Sequence, residues 1–116
     1  INLYMAKIIL EEAGCVVSTA ENGKEAVDMF TESPAETFNV ILMDVRMPVM
    51  DGVEAAKVIR KSERADARKI PIIAMTADAF SEERKRTADA GMNAHLTKPI
   101  DAVKLYETLT EYIKPV

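Results

Sequence analysis

The chain has 116 residues, 48% hydrophobic and 29% charged, with a net charge of −4, which describes one globular domain with a single core and not a disordered tail. Its basic residues are scattered, and the densest run, Arg84-Lys85-Arg86, follows Glu82 and Glu83 and reads as a solvated helix face, so no nucleic-acid surface is expected. No apolar run approaches the ~18 residues of a membrane span and no signal-peptide pattern opens the chain, so a cytoplasmic domain without membrane contact is expected.

Leu3, Ala6, Leu10 and Ala13 recur at helical spacing, and Gly14 is a natural stop. Cys15–Ala20 is short and rich in β-branched residues and predicts a strand. The lone Cys15 excludes an internal disulfide and reads as a small buried hydrophobe in a reducing compartment. Asn22-Gly23 turns the chain into a helix with Ala26, Val27 and Phe30 on its apolar face, ending before Pro34. Val40–Met43 predicts a second strand, and Asp51 is placed to cap a helix with Val53, Ala56 and Ile59 inward. Residues 62–69 are charged and loop-like. Ile72–Met75 predicts a third strand, followed by a polar helix of poor periodicity from about Ser81, its N-cap, to Ala90, with Gly91 ending it. Ala94–Thr97 predicts a fourth strand, and Asp101 caps a last helix with Val103, Tyr106, Leu109 and Ile113 on one side. Most of the seven Met residues are expected in the core.

Strands that are continuously apolar belong to a parallel sheet covered on both faces by right-handed crossovers, which makes the chain a doubly wound α/β domain. Open sheets of this kind present reactive groups at the carboxyl ends of their strands. Asp44, Thr76 and Lys98 each close an apolar run. Singly, each has a plainer explanation: Asp or Thr after a strand is ordinarily a turn or cap residue, and Lys before Pro99 an ordinary surface residue. Together, an acid, a hydroxyl and an ammonium at neighbouring strand ends suggest one assembled site. A carboxylate attacking a phosphoryl group pits anion against anion, so the chemistry is positioning and charge neutralisation. Lys98 could place a point charge on a phosphoryl oxygen, and Thr76 a hydroxyl hydrogen bond on another. The single His95 rules out the usual clustered zinc sites.

Three segments carry a resemblance: 40–52 (Val-Ile-Leu-Met-Asp-Val-Arg-Met-Pro-Val-Met-Asp-Gly), 72–77 (Ile-Ile-Ala-Met-Thr-Ala) and 91–100 (Gly-Met-Asn-Ala-His-Leu-Thr-Lys-Pro-Ile). They are similar to the receiver domains of two-component response regulators, most of all those of hybrid histidine kinases and phosphorelays. The resemblance implies a flavodoxin-like fold of strand order 2-1-3-4-5. It implies Asp44 as acceptor of a phosphoryl group from a histidine kinase or histidine phosphotransfer domain, Thr76 as the switch hydroxyl and Lys98 as the phosphoryl-contacting lysine. It further implies the Arg46 carbonyl, with Asp44, as Mg²⁺ ligands, a cis Lys98-Pro99 bond, and His95 at the aromatic-switch position of a partner surface spanning about 77–113. His95 there could confer pH sensitivity or be an ordinary solvent-facing side chain.

Receivers open with a strand ending in an acidic pair. Ile1-Asn2-Leu3 resembles the start of the helix that follows, so that strand and pair are expected upstream of residue 1, making 1–116 an N-terminally incomplete receiver. Glu21 and Asp51 do not stand at matching positions. Weak Mg²⁺ binding and impaired Mg²⁺-dependent self-phosphorylation are therefore expected of this polypeptide alone. A missing central strand would leave backbone groups unpaired, to be remedied by an upstream segment, by rearrangement, or by a homodimer formed by strand exchange or sheet association. The alternative function is a truncated or degenerate receiver serving as a phosphorylation-independent interaction module. A flavodoxin-like cofactor binder is disfavoured by the absence of a Gly-rich phosphate loop and of Trp.

Overall fold

Helices α1 (Leu3–Glu12), α2 (Gly23–Glu32), α3 (Gly52–Lys61), α4 (Ser81–Asp89) and α5 (Ala102–Tyr112) alternate with strands β1 (Ile41–Asp44), β2 (Ile72–Thr76) and β3 (Ala94–Thr97). The computed structural model describes residues 3–77 and 81–113, the side chains of Leu3 and Ser81 excepted. The readings of Ile1-Asn2 as a helix start, of Leu3 as an inward residue and of the Ser81 side chain as a cap lie outside the described residues.

The strands form one parallel sheet in the order β1-β2-β3. Asp44 pairs with Met75, and Thr76 with Thr97. Every β2 residue is buried, as a central strand covered on both faces requires. One core cluster packs Phe30, Met43, Ile59 and Ile72 beneath α2 and α3; the other packs Leu10, Ile73, Leu96 and Leu105 beneath α1 and α5. Helices thus cover both faces of a flavodoxin-like sheet.

The helix ends follow local chemistry. Asn22, Asp51 and Asp101 accept from the backbone N–H groups of Glu25, Glu54 and Val103, capping α2, α3 and α5. Past α1, Cys15 N–H donates to the Leu10 carbonyl with Gly14 at φ +97°, and past α4 the same closure joins Met92 N–H to Thr87 with Gly91 at φ +94°.

Four expectations are corrected. Residues 15–20 are not a strand: no strand lies beside them among the described residues, and a ladder needs a partner. Cys15 is accordingly exposed and Val16 fully so, whereas Val17 keeps a partial contact with the core. In α5 the buried residues are Leu105 and Leu109; Val103 faces solvent, and Tyr106 turns its hydroxyl to the Ile9 carbonyl at 3.1 Å. The charged segment 62–69 is pinned: Arg64 stacks on the Phe30 ring at 4.4 Å and donates to the carbonyls of Phe30, Ser33 and Pro34, while Ala67 is fully buried. Of the methionines, Met43, Met75 and Met92 are buried, Met29, Met47 and Met50 are half-buried, and Met5 is exposed.

Candidate functional site

The carboxyl ends of the three strands bring the predicted residues together. Asp44 is the last residue of β1 and Thr76 the last of β2, while Lys98 follows directly on β3. Lys98 N–H donates to the Thr76 carbonyl at 2.7 Å, extending the ladder by one bond past the last paired residues. Its side chain crosses above β2, and Nζ donates to Asp44 Oδ2 at 2.6 Å. The Lys98-Pro99 peptide bond is cis. Thr76 is 2% exposed, held between the acid and the ammonium at the middle strand end.

The other carboxylate oxygen of Asp44 accepts from the Arg46 backbone N–H at 3.1 Å. The turn after Asp44 is closed by Gly52 N–H donating to the Val45 carbonyl at 2.9 Å. A Cβ on Gly52 would stand 2.1 Å from the Asp44 carbonyl oxygen, so only glycine lets α3 begin this close to the acid. Sequence reasoning took Gly52 for an ordinary helix start; its position directly after a capping Asp was the signal available. Gly23 plays a matching part on the other flank, its N–H donating to the Met50 carbonyl at 3.0 Å. Also missed was the clamp at the amino end of β3, where Asn93 Oδ1 accepts from Ile72 N–H and from Arg60 Nη2 at 2.8 and 2.9 Å.

His95 lies apart from this trio, on β3 facing α4, with its Nε2 in hydrogen-bond contact with Thr87 Oγ1. Burial holds its imidazole below the ordinary histidine range, Arg84 adds to that effect, and Glu83 opposes it.

Beside β1 a groove of about 580 Å³ runs from Ala6 and Met29 past Val40 and Leu42 to Asp44 and Lys98. Its floor is apolar and its mouth carries Glu21, Asp44 and Lys98. Mg²⁺ takes six oxygens in octahedral array. The described residues contain no cluster of three or more His, Cys, Asp or Glu side chains. Asp44 and the Arg46 carbonyl supply two oxygens, and one Asp44 oxygen is already engaged by Lys98. This donor set does not by itself fit the ion.

Comparison with known proteins gives the constellation its context. The response regulator receiver domain model matches residues 1–110. Hybrid signal transduction histidine kinase I of Dictyostelium discoideum is 35% identical over 114 residues, covering 97% of the chain and 7% of that protein. Sensor protein GacS of Pseudomonas syringae pv. syringae is 36% identical over 113 residues, covering 96% of the chain and 12% of that protein. The chain therefore spans only a small part of the curated relatives it matches. Among solved structures, the receiver domain of sensor histidine kinase PA1611 from Pseudomonas aeruginosa PAO1, crystallised with magnesium in its active site cleft, superposes with a TM-score of 0.84 at 34% identity. That match covers 97% of the chain and 88% of the other. Chemotaxis protein CheY4 of Vibrio cholerae gives 0.85 at 31% identity, covering 95% and 88%. Three strand ends, their register and these relatives agree, and the chain belongs to the response regulator receiver domain family of two-component signalling.

Proposed function

We propose that Asp44 accepts a phosphoryl group from a phosphohistidine of a histidine kinase or histidine phosphotransfer domain. The observation that carries this is the 2.6 Å contact of Lys98 Nζ with Asp44 Oδ2 beside the buried Thr76. In the transfer, an Asp44 carboxylate oxygen attacks phosphorus. The P–N bond to the donor imidazole breaks as the P–O bond forms, and the imidazole leaves as a neutral base after taking up a proton. Lys98 then neutralises charge on a phosphoryl oxygen where it now neutralises the carboxylate. Thr76 turns its hydroxyl toward a second oxygen, and that movement changes the partner surface around β3, α4 and α5. The Arg46 N–H keeps the carboxylate oriented. With two protein oxygens to offer, this polypeptide binds Mg²⁺ weakly.

The reading extends to the setting. The relatives support a place within a cytoplasmic phosphorelay. The open outer edge of β1 and the apolar groove beside it support a homodimer formed by strand exchange or sheet association. A stable, cooperatively folded monomer in sedimentation would overturn that last part.

The central claim is tested by incubating the chain with acetyl phosphate and millimolar Mg²⁺ and weighing it intact. A mass gain of one phosphoryl group that disappears in Asp44→Asn is the expected result. No gain at saturating Mg²⁺, or a gain retained in Asp44→Asn, would leave the phosphorylation-independent interaction module as the function.

A further inference from the structure

Helix α4 is seated unlike the others. α2, α3 and α5 rest on buried aliphatic and aromatic side chains such as Phe30, Ile59 and Leu105. Among the described side chains of α4, Thr87 alone is fully buried, and Glu83, one turn earlier on the same face, is 11% exposed. The inward face of α4 is therefore a hydroxyl and a carboxylate in place of an apolar stripe. A helix held by polar contacts answers to protons in a way that one held by aliphatic burial does not.

The contacts define where a proton would act. The Thr87 hydroxyl donates to the Arg84 carbonyl at 3.1 Å, so its oxygen meets His95 Nε2 as an acceptor. The seated imidazole thus carries its hydrogen on Nε2, and an incoming proton goes to Nδ1. Glu83 Oε1 is buried with no hydrogen-bond partner among the described residues, and Oε2 lies 3.8 Å from Arg86 Nη1. On the α5 side, Asp101, Lys104, Glu107 and Glu111 line the hollow that His95 shares.

We propose that His95 is a proton-operated latch, seating α4 on β3 through Thr87 when the ring is neutral and releasing it when the ring is charged. The partly buried ring resists charging, Arg84 on α4 resists it further, and Glu83 favours it. The direction follows from linkage. With α4 released, the imidazole takes its proton at the ordinary value of about 6.5; seated, it takes it at a lower pH. The seated state is fully favoured above the ordinary value and loses its advantage as pH falls through the lower one. The latch stands on α4 and β3 alone and does not depend on Asp44 accepting phosphate.

The test is an NMR titration of the intact chain between pH 5 and 8, following the His95 ring carbons together with amide exchange along α4. The expected result is a His95 midpoint below 6.5. Between that midpoint and 6.5, α4 protection, corrected for intrinsic exchange, falls by up to about tenfold per pH unit, the limit for one linked proton. Arg84→Gln, at an exposed position, moves both midpoints up, and the isosteric Glu83→Gln moves both down. His95→Phe abolishes the pH response of α4. Constant α4 protection while His95 titrates, midpoints that neither substitution moves, or a pH response that survives His95→Phe would each overturn the latch.

Discussion

Val49 sits in the turn between Asp44 and α3 with φ of +69°, and its side chain is 80% exposed. Met50 N–H donates back to the Pro48 carbonyl at 2.7 Å, closing a three-residue turn around Val49. A left-handed backbone costs an L-residue about 1–2 kcal/mol, and a β-branched side chain stands at the unfavourable end. Asparagine adopts this region far more readily, so Val49→Asn should recover most of that cost. The apolar contact forfeited is small: full burial of Val is worth ~1.5–3 kcal/mol, and at 80% exposure only a few tenths remain to be lost. The net expectation is a gain of about 1 kcal/mol. Val49→Gly should gain less, because glycine gives back ~0.5–1 kcal/mol through the entropy of the unfolded chain. Urea unfolding followed by circular dichroism reads this as a higher midpoint with unchanged slope, about 0.3–1 M for the slopes of small domains. An Asn variant whose midpoint stays or falls at constant slope would refute the claim that this turn stores strain.

Arg64 gives the opposite case. Arg64→Met strips donors from the carbonyls of Phe30, Ser33 and Pro34 and removes the stack on Phe30. A loss of roughly 2–4 kcal/mol is expected, read as a fall in melting temperature. Arg64→Lys should recover little of it, since a single ammonium cannot span three carbonyls and an aromatic face. Asp66, beside it, accepts from Glu36 N–H at 2.9 Å and from Arg64. The Glu36 bond foremost, and Arg64 after it, hold this carboxyl below its ordinary value of 3.8 against the opposing effect of burial. Its contribution is complete above the ordinary value and is lost as pH falls through the lowered one. Asp66→Asn should therefore flatten the acid limb of a stability-versus-pH curve below about pH 4; an unchanged limb would show that Asp66 does not carry it.

How much of this was legible in the residue order depended on where each element gets its stability. β2 was readable because its burial is complete and its run of Ile72-Ile73-Ala74-Met75 says so directly. Asp44, Thr76 and Lys98 were readable for the same reason, since the ends of apolar runs mark the ends of strands. Residues 15–20 have comparable strand chemistry and still form none, because propensity does not supply a neighbour to pair with. Arg64 and Arg60 were invisible as anchors: a charged residue in a polar stretch looks solvated until the carbonyls it satisfies are in place. The inward face of α5 was misjudged by choosing Val103 over Leu105 as the apolar edge of the stripe.

Phosphoryl transfer to a carboxylate is mostly a matter of position, and here position is built into the backbone. The ladder sets Asp44 against Met75, and Lys98 N–H against the Thr76 carbonyl. A slip of one residue would turn each of these side chains to the other face of the sheet. On the far side of Asp44, Gly52 brings α3 within a distance that no Cβ tolerates, and Gly23 does the same for the Met50 carbonyl. The acid is thus gripped by the sheet on one side and by two helix starts on the other, while its side chain keeps one oxygen on Lys98 and one on the Arg46 N–H. Such a carboxylate needs little reorganisation to receive a phosphoryl group. What limits it is the count of oxygens around it, since rigidity on three sides cannot complete an octahedron from two donors.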